Sequence, residues 1–113
     1  MWNLLKYAWN HPLNADGRLA ALLRVLRWQI AARLMPGLIA LPYVQGTWLF
    51  ATRGMTGATG NWYCGLHEVH EMAFVLHLLR PGEHFVDVGA NVGSYTVLAG
   101  GGVKARVTAV EPI

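Results

Sequence analysis

The feature that most constrains the fold is an apolar run that ends in an acid and then turns through two glycines. It extends from Phe85 to Thr96 and reads FVDVGANVGSYT. The residues before the turn predict a β-strand, and those after it predict a helix. Gly89 and Gly93 permit left-handed backbone angles and place no Cβ between the backbone and a ligand. Because a helix begins here with unpaired N–H groups and the positive end of its dipole, the turn is a candidate site for a polar or anionic ligand.

A second strand and a second acid follow at a spacing typical of nucleotide-binding domains. Arg106 to Val110 predicts the strand, and Glu111 lies 22 positions after Gly89. In such domains an acid about 20 residues after the turn accepts hydrogen bonds from ribose hydroxyls. The order strand, glycine turn, helix, strand and acid therefore predicts an α/β fold that binds a nucleotide cofactor. A βαβ unit with a tight turn and no cofactor is the plain structural alternative.

The details of the turn distinguish between cofactors. The dinucleotide pattern G-x-G-x-x-G is matched only at Gly89, because its other glycine places hold Asn91 and Ser94. The pattern of S-adenosylmethionine-dependent methyltransferases is an acid, one residue, then G-x-G-x-G. Asp87, Gly89 and Gly93 match it, and Asn91 replaces the middle glycine. Asn tolerates left-handed backbone angles better than most residues, so this substitution preserves the turn.

The stretch from Gly57 to Pro112, about half of the chain, resembles the FkbM-type methyltransferases. The resemblance implies a Rossmann-like methyltransferase fold, S-adenosylmethionine as methyl donor, and O-methylation of a hydroxyl on a sugar, glycan or polyketide-like product. The motifs that carry it are Gly65-Leu66-His67-Glu68, Glu71-Met72, Leu78-Leu79-Arg80-Pro81-Gly82, the run Asp87 to Thr96, and Ala109-Val110-Glu111-Pro112.

The resemblance also implies roles for individual residues. Asp87, Gly89 and Gly93 would shape the pocket for the methionine part of the cofactor, and Glu111 would bind its ribose. Asn91 belongs to the Asp-Val-Gly-Ala-Asn form that this family uses. We predict these five residues as cofactor-binding residues, and the sequence assigns no catalytic base.

A helix predicted from about Leu66 to Leu79 carries further polar candidates. Glu68 lies at its start, where the helix dipole stabilises a carboxylate, and it matches the family's Gly-x-x-Glu feature. We therefore include Glu68 among the candidate cofactor-site residues. His67, His70 and Glu71 lie within about one helical turn, but His67-Glu68-Val69-His70 is one residue short of the zinc-protease spacing, and we predict no metal site. The side chains expected to pack inward are Val69, Met72, Ala73, Val75, Leu76 and Leu79.

The N-terminal part predicts a helix from about Arg18 to Met35, capped by Asn14 and Asp16 and ended by Pro36-Gly37. A functional alternative is an amphipathic helix that lies on a membrane or a partner, with arginines reaching lipid phosphates. We favour packing on the protein's own core. The side chains expected on the buried face are Leu19, Leu22, Leu23, Leu26, Ile30 and Leu34.

A short β-hairpin is expected next. Val44 to Thr52 predicts its first strand, Arg53 to Asn61 a Gly- and Thr-rich turn, and Trp62 to Cys64 a short returning strand. We therefore divide the chain into an N-terminal extension, residues 1–64, and the start of the Rossmann-like cofactor domain, residues 65–113.

Composition narrows the class of protein. Apolar residues make up 54% and charged residues 13%, and the net charge of +3 is too small and too dispersed to predict nucleic-acid binding. Cys64 is the single cysteine, which is consistent with a reducing compartment. No secretory signal is visible at the start, and proline, glycine and glutamine interrupt the uncharged stretch from Leu34 to Thr52. We predict a cytoplasmic protein without a transmembrane span.

Two parallel strands and one crossover leave much of a sheet uncovered. We therefore expect this chain to be the N-terminal fragment of a longer enzyme, or the product of an interrupted reading frame, with its sheet truncated after the second parallel strand. The isolated chain is expected to lack methyltransferase activity, to bind S-adenosylmethionine weakly or not at all, and to aggregate. The alternatives are a fragment of a nicotinamide-dependent oxidoreductase and a non-catalytic membrane-surface or interaction module.

Overall fold

Helices and two small sheets form a mixed α/β architecture in the computed structural model, which describes residues 1–112. The helices are α1 (Trp2–Asn10), α2 (Arg18–Leu34), α3 (Thr56–Cys64), α4 (Val69–Leu78) and α5 (Ser94–Val97). The strands are β1 (Ile39–Pro42), β2 (Trp48–Ala51), β3 (His84–Val88) and β4 (Arg106–Val110). Short 3-10 turns occupy Pro12–Asn14 and Val44–Gly46, and α5 continues as a π-helical segment, Leu98–Val103.

The parallel pair β3–β4 confirms the two strands predicted around the glycine turn. Phe85 lies opposite Val107, and Asp87 lies opposite Ala109. The connection between them runs through the turn, α5 and the π-helical segment, which is the βαβ arrangement that parallel strands require. Both strands therefore bring their carboxyl ends to the same edge, where Asp87 and Glu111 were predicted to act.

The hairpin exists, but its strands differ from the prediction. The expected strand from Val44 to Thr52 begins only at Trp48, and its partner is Ile39–Pro42, antiparallel to Trp48–Ala51. Gln45 and Gly46 adopt positive φ angles of 52° and 76°. Two consecutive left-handed residues reverse the chain tightly, which explains why the turn falls inside the predicted strand.

The prediction of a turn and a returning strand over residues 53–64 is wrong, because Thr56–Cys64 forms α3. Ala58, Tyr63 and Cys64 of this helix are buried in the main hydrophobic cluster. Their burial overrides the weak helix propensity of a segment rich in Gly and Thr. Gly60 allows a very close approach, since a Cβ there would meet the His67 ring at distances of 2.5 to 3.1 Å.

Helix α2 begins and ends where expected, but its predicted capping is wrong. Gly17 is the N-cap residue, and no side chain caps the helix. Asn14 is instead buried, and its Nδ2 donates hydrogen bonds to the carbonyl oxygens of Ala8 (2.8 Å) and Tyr63 (3.2 Å). Arg24 donates through Nη2 to Asn14 Oδ1 at 2.9 Å. This polar network joins α1, α2 and α3, so Asn14 has a tertiary role.

The predicted buried face of α2 is also wrong, because most of its leucines face solvent. The buried residues of α2 are Ala21, Val25 and Trp28, which recur at steps of four and three along the opposite side of the helix. The side chains left exposed, at 46 to 76%, are Leu19, Leu23, Leu26, Ile30 and Leu34. The helix is apolar on two faces, and its packing against α1 and α3 buries the face that carries Ala21, Val25 and Trp28.

The second predicted helix is confirmed as α4, with slightly shorter bounds. Met72 is 1% exposed, and the other side chains predicted to face inward are partly buried. On β3, by contrast, Val86 and Val88 remain 53% and 77% exposed. The division of the chain at residue 64 stays a prediction. Within residues 1–112, no helix is both long and apolar enough to cross a bilayer.

Two substitutions on α2 test which of its faces is buried. Val25 is fully buried and Leu26 is 47% exposed. Val25→Ala is therefore expected to lower the free energy of unfolding by about 1–3 kcal/mol. Leu26→Ala is expected to change it by less than about 0.5 kcal/mol. Urea unfolding measures both, and a larger loss for Leu26→Ala would restore the leucine face as the buried one.

Candidate functional site

Three residues of the turn between β3 and α5 have left-handed backbone conformations. Gly89, Asn91 and Gly93 have φ angles of +77°, +48° and +79°. A Cβ on Gly89 would meet nothing within 4 Å, so the space beside its backbone is open to a ligand. The predictions that glycine is needed at 89 and 93, and that Asn91 adopts the same backbone region, are consistent with these angles.

The start of α5 supplies backbone donors beside this turn. The first hydrogen bond of the helix runs from the Val97 N–H to the Gly93 carbonyl at 2.9 Å. Within residues 1–112, the three preceding N–H groups, at 94–96, therefore have no backbone acceptor. Unpaired N–H groups at a helix start favour a carboxylate or another anionic group.

Asp87 occupies the last inward-facing position of β3. It is 8% exposed, and its Oδ2 accepts a hydrogen bond from Thr96 Oγ1 at 2.5 Å. This bond links the end of β3 to the first turn of α5, across the glycine turn. The carboxylate is thereby held in a fixed position at the carboxyl edge of the parallel pair.

Glu111 is connected directly to the turn. Its Oε2 accepts a hydrogen bond from the Asn91 N–H at 2.7 Å, and the Gly89 N–H donates to the Val110 carbonyl at 2.7 Å. The end of β4 is therefore tied to the turn by a main-chain bond and by a carboxylate. A carboxylate has about four acceptor sites, so Glu111 retains capacity for a ligand hydroxyl.

A cleft of about 350 Å³ lies beside the turn. Asp87, Gly89, Asn91 and Glu68 line it, whereas Gly93 and Glu111 lie outside its lining. The structure thus brings four of the six predicted site residues into one cleft. Glu111 joins them through its bond to Asn91, and Gly93 contributes the turn that shapes the cleft.

Glu68 has a partner that the sequence did not indicate. Its Oε2 accepts a hydrogen bond from the Tyr95 hydroxyl at 2.9 Å, and Tyr95 also lines the cleft. Burial raises the pKa of Tyr95, and the hydrogen bond to Glu68 raises it further. The phenol therefore keeps its proton and remains a donor to the carboxylate. Glu68 and Tyr95 are 27 positions apart in the sequence, so no local spacing indicates this contact.

The buried amide of Asn61 links the cleft to the rest of the protein. Its Nδ2 donates to Ser94 Oγ at 3.1 Å and to the Gly57 carbonyl at 2.8 Å. Its Oδ1 accepts the His67 N–H at 2.8 Å. One side chain therefore positions α3, the start of α5 and the loop before α4. Sequence reasoning missed it because Asn61 was assigned to a turn.

Other polar candidates do not assemble into a metal centre. Among residues 1–112 there is no group of three His, Cys, Asp or Glu side chains that could hold a metal ion. Cys64 is free and buried, as expected for a small core residue, and burial raises the pKa of its thiol. It is therefore held as the unreactive thiol rather than the thiolate.

Comparison of the chain with models of protein families, with curated proteins and with solved structures finds no match.

The tyrosines give a pH test of the packing around the cleft. Burial is the largest cause of a raised pKa at all four, Tyr7, Tyr43, Tyr63 and Tyr95. Because the pKa of each tyrosine is raised in the folded state, the contribution of the protonated side chain to the stability of the fold is complete below about pH 10, the ordinary tyrosine pKa. This contribution is lost as the pH rises above that value. We expect phenolate absorbance to develop at higher pH in the native protein than in urea. Coincident titration curves would contradict this packing.

Proposed function

We propose that the protein binds S-adenosylmethionine in the cleft at the glycine turn and belongs to a Rossmann-like O-methyltransferase. The acceptor would be a hydroxyl on a sugar, glycan or polyketide-like product. The observation that supports this proposal most strongly is the junction of β3, β4 and α5, where Glu111 accepts a hydrogen bond from the Asn91 N–H at 2.7 Å. It combines a left-handed turn, two acids at the carboxyl ends of parallel strands and unpaired helix N–H groups.

The residues at the cleft match the chemical groups of this cofactor. The open space beside Gly89 accommodates an approaching ligand, and the unpaired N–H groups at the start of α5 suit its carboxylate. Asp87 and Glu68 provide negative charge for its ammonium and sulfonium groups, and Glu111 provides acceptors for the ribose hydroxyls. The cleft volume of about 350 Å³ lies within the range of small-molecule sites.

The bound cofactor supplies a methyl group that is already electrophilic. The protein's part is then to align the acceptor with this methyl group and to exclude water. The hydrogen bonds from Thr96 to Asp87 and from Tyr95 to Glu68 hold the two carboxylates in place. Preorganised charge of this kind costs no rearrangement at the moment of reaction.

A nicotinamide cofactor fits the turn less well. The dinucleotide pattern needs a third glycine where α5 packs closely on the strand, and Ser94 stands there. The side chain of Ser94 is buried and hydrogen bonded to Asn61, so this position is used for internal packing. An oxidoreductase remains the second enzyme hypothesis.

We also propose that the exposed face of α2 binds an anionic membrane surface. The five apolar side chains of this face turn away from the core. On a helical projection Arg27 and Arg33 flank the face, one on each side. Both arginines are exposed, and no acidic residue occurs in α2. Apolar side chains flanked by arginines match the interface of a bilayer that contains anionic lipids.

Glu111→Ala tests the cofactor proposal. Loss of charge-assisted hydrogen bonds to the ribose is expected to weaken S-adenosylmethionine binding by at least about tenfold. Because the chain is expected to bind the cofactor weakly, a nitrogen-15 NMR titration of the protein measures the affinity. Glu83→Ala is the matched control, because Glu83 precedes the opposite end of β3 and should leave the affinity unchanged. Equal affinities for the two variants would contradict the ribose role, and binding of NADH without S-adenosylmethionine would contradict the cofactor.

Serine substitutions on α2 test the membrane proposal. Leu23→Ser with Ile30→Ser is expected to abolish co-sedimentation with vesicles of phosphatidylserine and phosphatidylcholine, because apolar burial and lipid charge act together. The control is Phe74→Ser with Leu78→Ser, which removes two similarly exposed apolar side chains from α4. Failure of the wild-type protein to bind these vesicles, or equal loss in both variants, would eliminate the proposal.

A further inference from the structure

A second cavity, of about 300 Å³, lies between α1, α2 and α3. Tyr7, Trp28 and Tyr63 provide aromatic walls, and Arg33 and Arg53 also line it. Trp28 and Tyr63 are almost fully buried, at 5% and 3% exposure, so these walls are held rigidly. The volume suits one six-membered ring with its substituents.

This cavity shares a wall with the cofactor cleft. Thr56 and His67 line both spaces. The His67 ring is pressed against Gly60, where an added Cβ would lie 2.5 Å from Nδ1. The imidazole is therefore fixed between the two cavities, and only its far edge, which contains Nε2, is distant from Gly60.

The hydrogen bonds of Tyr7 favour the tautomer of His67 in which Nδ1 carries the proton. The Tyr7 hydroxyl donates to the His67 carbonyl oxygen at 3.2 Å and lies 2.5 Å from His67 Nδ1. A phenol has a single proton, and a carbonyl can only accept. With Nδ1–H donating to the phenol oxygen, each bond has its own proton, and Nε2 is left with a lone pair.

Nε2 is available to a ligand. Within residues 1–112, Nε2 of His67 has no hydrogen-bond partner. It is not a fully buried atom, unlike His11 Nδ1, which is buried and also has no partner. Solvent can therefore reach Nε2. Burial raises the pKa of Tyr7, so the phenol that sets this tautomer stays protonated.

The charge of the second cavity defines the ligand class. Two arginines and no acidic side chain line it among the described residues, and Arg53 is exposed. A guanidinium recognises a carboxylate through paired N–H donors. Aromatic walls with a cationic rim therefore favour a ring that carries a carboxylate.

We infer that this cavity binds the methyl acceptor, a six-membered ring with a hydroxyl and a carboxylate, and that Nε2 of His67 accepts the proton of that hydroxyl. The inference rests on the proposed methyltransferase function. During transfer the acceptor oxygen forms a bond to the methyl carbon, the methyl–sulfur bond breaks, and its electron pair stays on sulfur. The hydroxyl proton passes to Nε2, so that charge and atoms balance.

Nε2 must carry no proton to accept that of the hydroxyl. The charged and titratable groups around the ring are distributed over both cavities. They are Tyr7, Tyr63, Arg33 and Arg53 on one side, and Glu68, Asp87 and Tyr95 on the other.

The first experiment measures probe binding to the full chain by NMR titration. The probes are 4-hydroxybenzoate, benzoate and glucuronate. At least one of the two hydroxylated probes is expected to bind. The probe that binds more tightly shows whether the cavity prefers an aromatic or a sugar ring. Arg53→Gln is expected to weaken its binding about tenfold. The control is Arg27→Gln, which removes an equally exposed charge outside the cavity. No binding of either hydroxylated probe, or equal loss in both variants, overturns the inference.

The second experiment examines His67 itself. Nitrogen-15 NMR is expected to show the Nδ1–H tautomer in the wild-type protein and a mixture of tautomers in Tyr7→Phe. His67→Leu should remove the preference for 4-hydroxybenzoate over benzoate, or weaken glucuronate binding if that ring is preferred. If His67→Leu does not fold, the tautomer of the wild-type protein decides the question. An Nε2–H tautomer there would refute the assignment of His67 as the base. Failure of these two experiments overturns only this inference, since neither depends on S-adenosylmethionine, whose binding the Glu111→Ala comparison tests separately.

Discussion

The candidate site depends on the left-handed backbone between β3 and α5. Three residues with positive φ, at 89, 91 and 93, turn the chain so that the end of a strand and the start of a helix lie side by side. Only this conformation lets the Asn91 N–H reach Glu111 and the Asp87 carboxylate reach Thr96. Left-handed angles are costly for most residues, which explains two glycines and an asparagine at these positions.

The buried Asn61 amide extends the hydrogen-bond network of the turn into the N-terminal part of the chain. It connects Ser94 at the cleft with the backbone of His67, and His67 in turn contacts Tyr7 of α1. A buried amide with all these bonds formed is stabilising, whereas losing one partner leaves a costly unpaired group. The cleft at the glycine turn and the cavity beside it are therefore parts of one hydrogen-bonded arrangement.

Sequence reasoning succeeded where local pattern determines structure. The strands at Phe85 and Arg106, and the turn between them, are specified by neighbouring residues, and four predicted residues share a cleft. It failed where tertiary packing decides. Helix α3 contains two glycines and two threonines and forms because Ala58 and Tyr63 are buried. The leucines of α2 look like a core face, but the opposite face, with Ala21, Val25 and Trp28, is the buried one. Tyr95 and Asn61 act through partners distant in sequence, at Glu68 and Ser94, which no local pattern reveals.

The most direct test of the account is a nitrogen-15 amide NMR titration of the protein with S-adenosylmethionine, because chemical-shift changes report even weak binding residue by residue. The account predicts the largest changes at the turn and the start of α5, at Gly89, Asn91 and Tyr95, together with Glu111. It predicts none on the exposed face of α2. The absence of changes at the turn, or changes confined to α2, would contradict the assignment of this cleft as a cofactor site.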